Sequence, residues 1–487
     1  MGIAKERKSD YNKSIYFGEV FPEERRIRMR RRSGLYDVWM KNRPKNLSAA
    51  KVIALAFAAI ILLGAGLLTL PVASRSGVSC GFRPALFTAT SATCVTGLSL
   101  FDTWTQWSGF GQIVILCLIE IGGLGFMSAA TLVVFLLRRR IGLKQRLVMA
   151  QALSVSDMNG IVKLQKTVLL GSFTVEGIGA VILLLRFWPE YGFMRALKWG
   201  VFHSVSAFCN AGFDIFGCMT PGASLAVFRS DPVVLLTLGA LVTVGGLGFL
   251  VWQEITEKRK FRSFSVYTKL VLVTTMGLIF VGWLLICLLE WNNPGTLGSL
   301  SIPDKLLNGL FQSVTLRTAG FASFDQAFLT ESGKAVSMVL MLIGGSSGST
   351  AGGIKTVSFI VMVLFITARA RRKNTVCIFK RTIPETQVLD AMTIAVIMLG
   401  LSFFGGVFIS ATSSVGFADA LFEAVSAIAT VGLTAGVTGS LSIPAQLLII
   451  LYMYFGRVGV LTISLGFLAG DRAEERFRYA KTSLLIG

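Results

Sequence analysis

Four times along this chain, a long apolar run is followed by a segment too short to cross a bilayer and then by a second long run. That alternation limits the fold more than any other feature. A hydrocarbon core needs about 20 apolar residues per helix. Runs of that length fall near 50–72, 110–137, 167–188, 232–253, 268–291, 335–368, 388–411 and 445–469. A polypeptide with eight of them reads as a polytopic membrane protein. Its 487 residues are 53% hydrophobic and only 15% charged, with a mean hydropathy of +0.68, whereas soluble domains carry about 25% charge. The same figures exclude disorder, and seven scattered cysteines without a C-x-x-C exclude a disulfide scaffold. The cysteines are expected to be reduced apolar fillers; a bridge between Cys80 and Cys218, both read as outward-facing, has no support in the sequence.

The net charge of +21 invites a nucleic-acid reading, so its distribution matters more than its sum. Five polar stretches, 1–51, 138–166, 254–269, 369–387 and 470–487, hold 36 of the 47 basic residues and 13 of the 26 acids. Basic residues retained on one face follow the positive-inside rule. These stretches are therefore assigned to the cytoplasm, with both termini inside. The runs Arg25, Arg26, Arg28, Arg30, Arg31, Arg32 and Arg138–Arg140 are expected to meet anionic lipid head groups. No nucleic-acid-binding module accompanies them. Residues 1–47 are too polar to supply a secretory signal, so the first apolar run is expected to direct insertion.

The four short segments resemble one another. Phe87 to Leu98 reads FTATSATCVTGL and Phe202 to Phe213 reads FHSVSAFCNAGF. Phe311 to Phe321 reads FQSVTLRTAGF, one residue shorter, and Phe422 to Leu433 reads FEAVSAIATVGL. Their glycines, Gly97, Gly212, Gly320 and Gly432, are 115, 108 and 112 residues apart, a period that dictates architecture. The runs that follow echo one another too: GGLGF from Gly122 and from Gly245, GGSSG from Gly344 and FGRVG from Phe455. The expected fold is an all-α polytopic membrane protein of four helix–re-entrant pore loop–helix repeats around a pseudo-fourfold central pore. The expected divisions are a basic segment 1–47, repeats at 48–137, 138–253 and 254–368 with their linkers, and a fourth repeat with a cytoplasmic tail at 369–487.

Non-helical backbone at membrane depth survives only where protein buries it or it lines a wet cavity. Four such loops about one axis would offer main-chain carbonyls that replace the hydration shell of a monovalent cation. The expected filter is Val95, Thr96 and Gly97; Asn210, Ala211 and Gly212; Thr318, Ala319 and Gly320; and Thr430, Val431 and Gly432. Glycine suits the apex because carbonyls aimed at an axis demand backbone angles that a Cβ disfavours. Asp102, Asp214 and Asp325 follow the first three glycines, and the fourth repeat has no acid there. They either focus cations at the outer mouth or cap turns.

The sixth apolar run is interrupted by Gly344, Gly345, Ser346, Ser347, Gly348, Ser349, Thr350, Ala351, Gly352 and Gly353. Ten small residues are a poor helix, since each Gly costs about 1 kcal/mol relative to Ala. Only 24 residues beyond Gly320, they are read as a gate just cytoplasmic to the filter, with a packing kink as the alternative. Lys355 ends this stretch and is expected to anchor it to head groups or a carbonyl. Arg457 sits in the middle of the eighth run, where a charge costs at least about 2.5 kcal/mol. It is read either as an electrostatic barrier in the pore or as the partner of Glu120. Arg317 is expected in a structural ion pair behind the third loop, Glu176 and Glu290 as packing acids, and His203 as a satisfied hydrogen-bonding residue.

These hairpins resemble the pore loops of the Trk/Ktr/HKT superfamily of potassium transporters. RTAGF from Arg317, GGSSGSTAGGIKT from Gly344 and YFGRVG from Tyr454 carry the resemblance most specifically; it spans about residues 50–487 and is nearest to the Ktr membrane subunit. The resemblance implies K⁺ uptake by a homodimer with one pore per subunit in a bacterial cell membrane. It also implies a cytosolic nucleotide-binding regulatory ring of the KtrA or TrkA type. The resemblance further implies that Gly97, where some members carry serine, puts the first loop on the potassium-selective side. The chain itself then needs no cofactor: K⁺ is cargo, any nucleotide sits on the partner, and Na⁺ activation stays open. An intramembrane enzyme would need a nucleophile–base set or a metal cluster, but there is one His and no H-E-x-x-H. A structural subunit leaves the fourfold repeat unexplained, and a Na⁺- or H⁺-coupled symporter would place its site at a repeat interface near the midplane.

Overall fold

The computed structural model describes residues 49–125, 161–373 and 375–459. The basic N-terminal segment, Arg138–Arg140 and the tail from Leu484 lie outside the described residues. From Ala49 onward the chain forms one compact unit, and it is mostly helical.

Repeat one contains α1 (Ala49–Thr69), α2 (Phe82–Thr93) and α3 (Gly109–Leu124). Repeat two contains α4 (Ile161–Tyr191), α5 (Phe193–Phe208), α6 (Pro232–Leu247) and α7 (Phe249–Lys258). Repeat three contains α8 (Val266–Glu290), α9 (Ile302–Thr315), α10 (Glu331–Leu342) and α11 (Thr356–Ala370). Repeat four contains α12 (Glu385–Thr412), α13 (Phe417–Ile428) and α14 (Ile443–Val458).

The opening helices α1, α4, α8 and α12 are long and apolar enough to cross a membrane. Each packs against the short helix that follows it, and each leaves large apolar residues such as Leu63, Leu185, Leu288 and Val396 exposed, the surface that lipid requires. The short helices are buried: in α13, Phe422 through Ile428 are buried without a break.

In repeats one, two and four the second run stops short of the uninterrupted helix expected, while in repeat three the expected interruption is present. Each of α3, α6, α10 and α14 starts on a side-chain cap, from Ser108, Asp231, Thr330 and Ser442 respectively, which satisfies amides a helix start leaves bare. Three then stop at a glycine with positive φ: Gly125 (+84°), Gly248 (+91°) and Gly459 (+94°). At Gly248 the chain turns by 94° into α7. The fourth, α10, ends at Leu342 and gives way to the glycine- and serine-rich segment before α11. The glycine that closes the echoed G-x-x-G of repeats one, two and four is thus a helix stop.

The all-α expectation needs one correction. Cys377–Ile378 pairs antiparallel with Arg381–Thr382 in a small hairpin between α11 and α12. Its turn residues Phe379 and Lys380 both have positive φ, as a twist-matched two-residue turn requires. All seven cysteines are free, so Cys80 and Cys218 are not bridged.

Candidate functional site

Each short helix ends in the same backbone device. The amide preceding the glycine donates to a carbonyl one turn back: Thr96 to Ser91 (2.8 Å), Ala211 to Ser206 (2.8 Å), Ala319 to Thr315 (3.0 Å) and Val431 to Ser426 (2.8 Å). This fixes the register of the shorter third hairpin, whose missing residue falls between Thr315 and Thr318. Two residues before each glycine, a side-chain-bearing residue adopts the left-handed region: Val95 (φ 55°), Asn210 (60°), Thr318 (66°) and Thr430 (52°). That conformation costs about 1–2 kcal/mol for an ordinary residue, and strain recurring four times at equivalent positions makes these turns the candidate functional site. The glycines themselves have φ of 100°, 70°, 81° and 93°.

The four turns close on one another. A Cβ on Gly97 would lie 2.6 Å from the carbonyl oxygen of Ala211; on Gly212, 2.8 Å from that of Ala319; on Gly320, 2.7 Å from that of Val431. A Cβ on Gly432 would collide with the oxygen of Thr96, which completes the circuit. Each glycine therefore rests on the oxygen just before the next glycine, in the order one, two, three, four, one. No side chain fits in this ring. What gathers there is uncharged main-chain oxygen, the chemistry that coordinates a dehydrated monovalent cation.

On one side of the ring lies a cavity of about 520 Å³ lined by the four glycines and by Asp102, Asp214 and Asp325. All three carboxylates also accept backbone amides. Asp102 takes those of Thr105 (2.8 Å) and Gly222 (3.1 Å), Asp214 that of Phe216 (3.2 Å), and Asp325 that of Ala327 (2.9 Å). Lining and capping coexist. Burial, and next the charge of Asp102, push the Asp214 carboxyl up to about 6.

On the other side lies the segment 344–355. Gly344 and Ile354 are tied by a backbone bond (2.9 Å), and Ser346 and Thr350 donate their amides to Gly246 (3.0 Å) and Gly245 (3.3 Å) of α6. The Thr350 hydroxyl reaches the Phe208 carbonyl and the Asn210 side chain, both at 3.2 Å. Gly348 accepts the Phe249 amide (3.0 Å), and Ser347 accepts the Tyr267 hydroxyl (3.0 Å). A Cβ on Gly352 would collide with the Thr430 hydroxyl. The segment is thus seated directly beneath loops two and four.

The cations behind the ring hold carbonyls. Arg457 donates to Thr350 and Gly122, and to Gly123 at 3.0 Å; it makes no ion pair with Glu120. Arg317, expected in an ion pair, instead donates to Gly344 (3.0 Å). Neither arginine has a carboxylate partner among the described residues. Lys355 donates to Ala351 (2.7 Å), within its own segment rather than toward head groups. Glu120 lies beside Glu176 and Cys209. Glu290 is saturated by Asn293, Thr296 and Thr330. His203 bridges the Trp199 carbonyl (2.7 Å) and the Ile215 amide (3.2 Å).

The sequence reading missed Glu423. It is fully buried in α13, where it accepts the Ala435 amide (3.1 Å) and the hydroxyls of Thr438 (2.9 Å) and Thr434. Ala435 and Ile215 each lie three residues past their glycine. Glu423 and His203, each directly after the hairpin phenylalanine, therefore hold equivalent amides, and that shared position was the available signal.

Residues 38–475 match the family described as TrkH, cation transport protein. The chain is 39% identical to the potassium/sodium uptake protein NtpJ of Enterococcus hirae over 91% of its length and 98% of that protein. It is 40% identical to the Ktr system potassium uptake protein B of Bacillus subtilis over 88% of its length and 94% of that protein. The solved structure of the potassium transporter TrkH from Vibrio parahaemolyticus superposes with a TM-score of 0.70 at 18% identity, covering 88% of this chain and 87% of that one.

Proposed function

Since the chain belongs to the TrkH family of cation transport proteins, transporters and not enzymes, we propose that it is the membrane-embedded K⁺-uptake subunit of a Ktr-like system. The filter is the ring formed by Val95–Gly97, Asn210–Gly212, Thr318–Gly320 and Thr430–Gly432. The gate is the segment from Gly344 to Lys355. The single observation that carries this reading is the closed circuit in which every loop glycine rests on the neighbouring loop's carbonyl oxygen. Asp102, Asp214 and Asp325 raise the cation concentration in the cavity that precedes the ring. Arg457, held by carbonyls from repeats one and three, places a positive charge below the ring and bars passage until the segment shifts. A cytosolic nucleotide-binding ring of the KtrA type moves that segment, and two copies of the chain form a homodimer in a bacterial cell membrane, with both termini cytoplasmic.

Growth rescue of a K⁺-uptake-deficient bacterium at limiting K⁺, with a suitable regulator present, tests the assignment. The parent chain should rescue, and Gly97→Ser should weaken discrimination against Na⁺; a membrane-expressed parent that fails to rescue would sink it. A relative named a potassium/sodium uptake protein favours a second reading in which Na⁺ is coupled to or activates K⁺ entry. Flux in reconstituted vesicles that follows the K⁺ gradient with no Na⁺ dependence would remove that reading.

A further inference from the structure

Four hydroxyls stand at one register, each four residues past its hairpin phenylalanine: Ser91, Ser206, Thr315 and Ser426. All four are fully buried, so none meets a cation in the cavity or solvent at the surface. Each bonds to the loop that follows it, but in two different ways. Ser91 accepts the Gly97 amide and Ser426 the Gly432 amide, both at 3.1 Å. Ser206 and Thr315 instead donate to the carbonyls of Phe213 and Phe321, the residues just past Gly212 and Gly320, both at 2.7 Å. Loops one and four are thus held by the glycine nitrogen, and loops two and three by the next carbonyl oxygen.

We propose that these four hydroxyls are the positioning residues that set ion discrimination, an inference that rests on the filter reading above and extends it to side chains outside the ring. A left-handed turn of small residues has few side-chain hydrogen bonds of its own to fix where its oxygens point. Beside the backbone bond that closes each helix, the buried hydroxyl adds one bond per loop, at the glycine amide or at the carbonyl just past the glycine. Discrimination between K⁺ and Na⁺ depends on the number and placement of carbonyl dipoles, so loosening one loop alters the ratio of the two fluxes more than their sum. The two bonding modes also make the filter two-sided. In loops two and three, the oxygen just past the glycine is engaged by a donor. In loops one and four no hydrogen bond reaches the equivalent oxygens of Leu98 and Leu433 among the described residues.

The test is the K⁺/Na⁺ flux ratio of the purified full-length protein in vesicles, a quantity independent of how much protein inserts. Thr315→Val keeps the shape and removes the hydroxyl, whereas Thr315→Ser keeps the hydroxyl and removes the methyl. Thr315→Val and Ser206→Ala should each lower the ratio by about fivefold, the factor equivalent to one neutral hydrogen bond, and Thr315→Ser should retain it. Ser91→Ala and Ser426→Ala should lower the ratio and also the total flux, because a buried glycine amide is left unpaired. A parent-like ratio in Thr315→Val and Ser206→Ala, with Gly97→Ser degraded, would overturn the inference and leave the filter standing. Equal loss in Thr315→Ser and Thr315→Val would overturn it in favour of packing. An unchanged ratio in Gly97→Ser would overturn the filter reading and this inference with it.

Discussion

In the oxygen ring all four repeats do the same thing: left-handed residue, small residue, glycine, each glycine on its neighbour's carbonyl. One layer below, the same repeats diverge. Aligned on their glycine motifs, repeats one, two and three place Gly123, Gly246 and Gly345 where repeat four places Arg457. Only repeat three spends ten small residues between α10 and α11. The difference is physical. A ring of equivalent dipoles needs equivalent loops, because a cation at its centre has no preferred side. A layer that opens and shuts needs one element that moves and others that hold it. The segment 344–355, proposed above as the gate, is bonded by α6, α7, Tyr267 and Arg457 from three other places in the chain.

The sharpest way to break the contrast is to disturb the symmetric layer. Gly212→Ala sets a methyl against the Ala319 oxygen in a left-handed backbone, a strain of at least about 2 kcal/mol. It should abolish K⁺-limited growth while the protein still reaches the membrane, as immunoblotting would show. In the asymmetric layer the sign reverses. Arg457→Gln removes charged bonds worth about 1.5–3 kcal/mol each, so unstimulated K⁺ flux should rise at least about tenfold in vesicle assays. A fall in flux would show that the arginine supports the path rather than blocking it. Tyr267→Phe removes one neutral bond to Ser347, worth about 1 kcal/mol. Basal flux should rise at most about fivefold and K⁺/Na⁺ discrimination should stay as it was, since the change lies outside the ring.

The smallest effect belongs to the cavity. The Asp214 carboxyl, raised to about 6 by burial and by Asp102 and opposed by the Phe216 amide and Ser224, is charged above that pH and neutral below it. Lowering the outside pH from neutral through 6 removes one negative charge. The K⁺ concentration for half-maximal uptake should then rise by about twofold, and Asp214→Asn should show the raised value at every pH.

Much of the ring was legible because it repeats. The period of the glycines and the phenylalanine register placed Val95–Gly97 and its counterparts without reference to tertiary structure. The third hairpin, one residue shorter, was ambiguous until the Ala319 to Thr315 bond fixed it. The layer below was legible only as composition. The stretch from Gly344 to Gly353 reads as non-helical, but nothing local says that Ser346 leans on Gly246, one hundred residues away, or that Arg457 reaches Gly122, 335 residues away. An arginine in an apolar run suggests a carboxylate partner. The structure supplies carbonyls instead: those of Gly122 and Gly123 at the end of α3, where the helix carries partial negative charge, and that of Thr350. Glu423 was missed because, within α13, it reads as one polar residue among small ones.

The circuit of loops has its seam between the first repeat and the last. Gly432 rests on Thr96, Arg457 on Gly122, and the Tyr454 hydroxyl on Ala54 at 2.8 Å, 400 residues back along the chain. During synthesis the earliest part made must therefore wait for the latest, and contacts of such long range form slowly. A ribosome that stalls before Gly432 releases a product with three-quarters of the turns and no closed circle. In a split-gene version the circle would close only where both halves met.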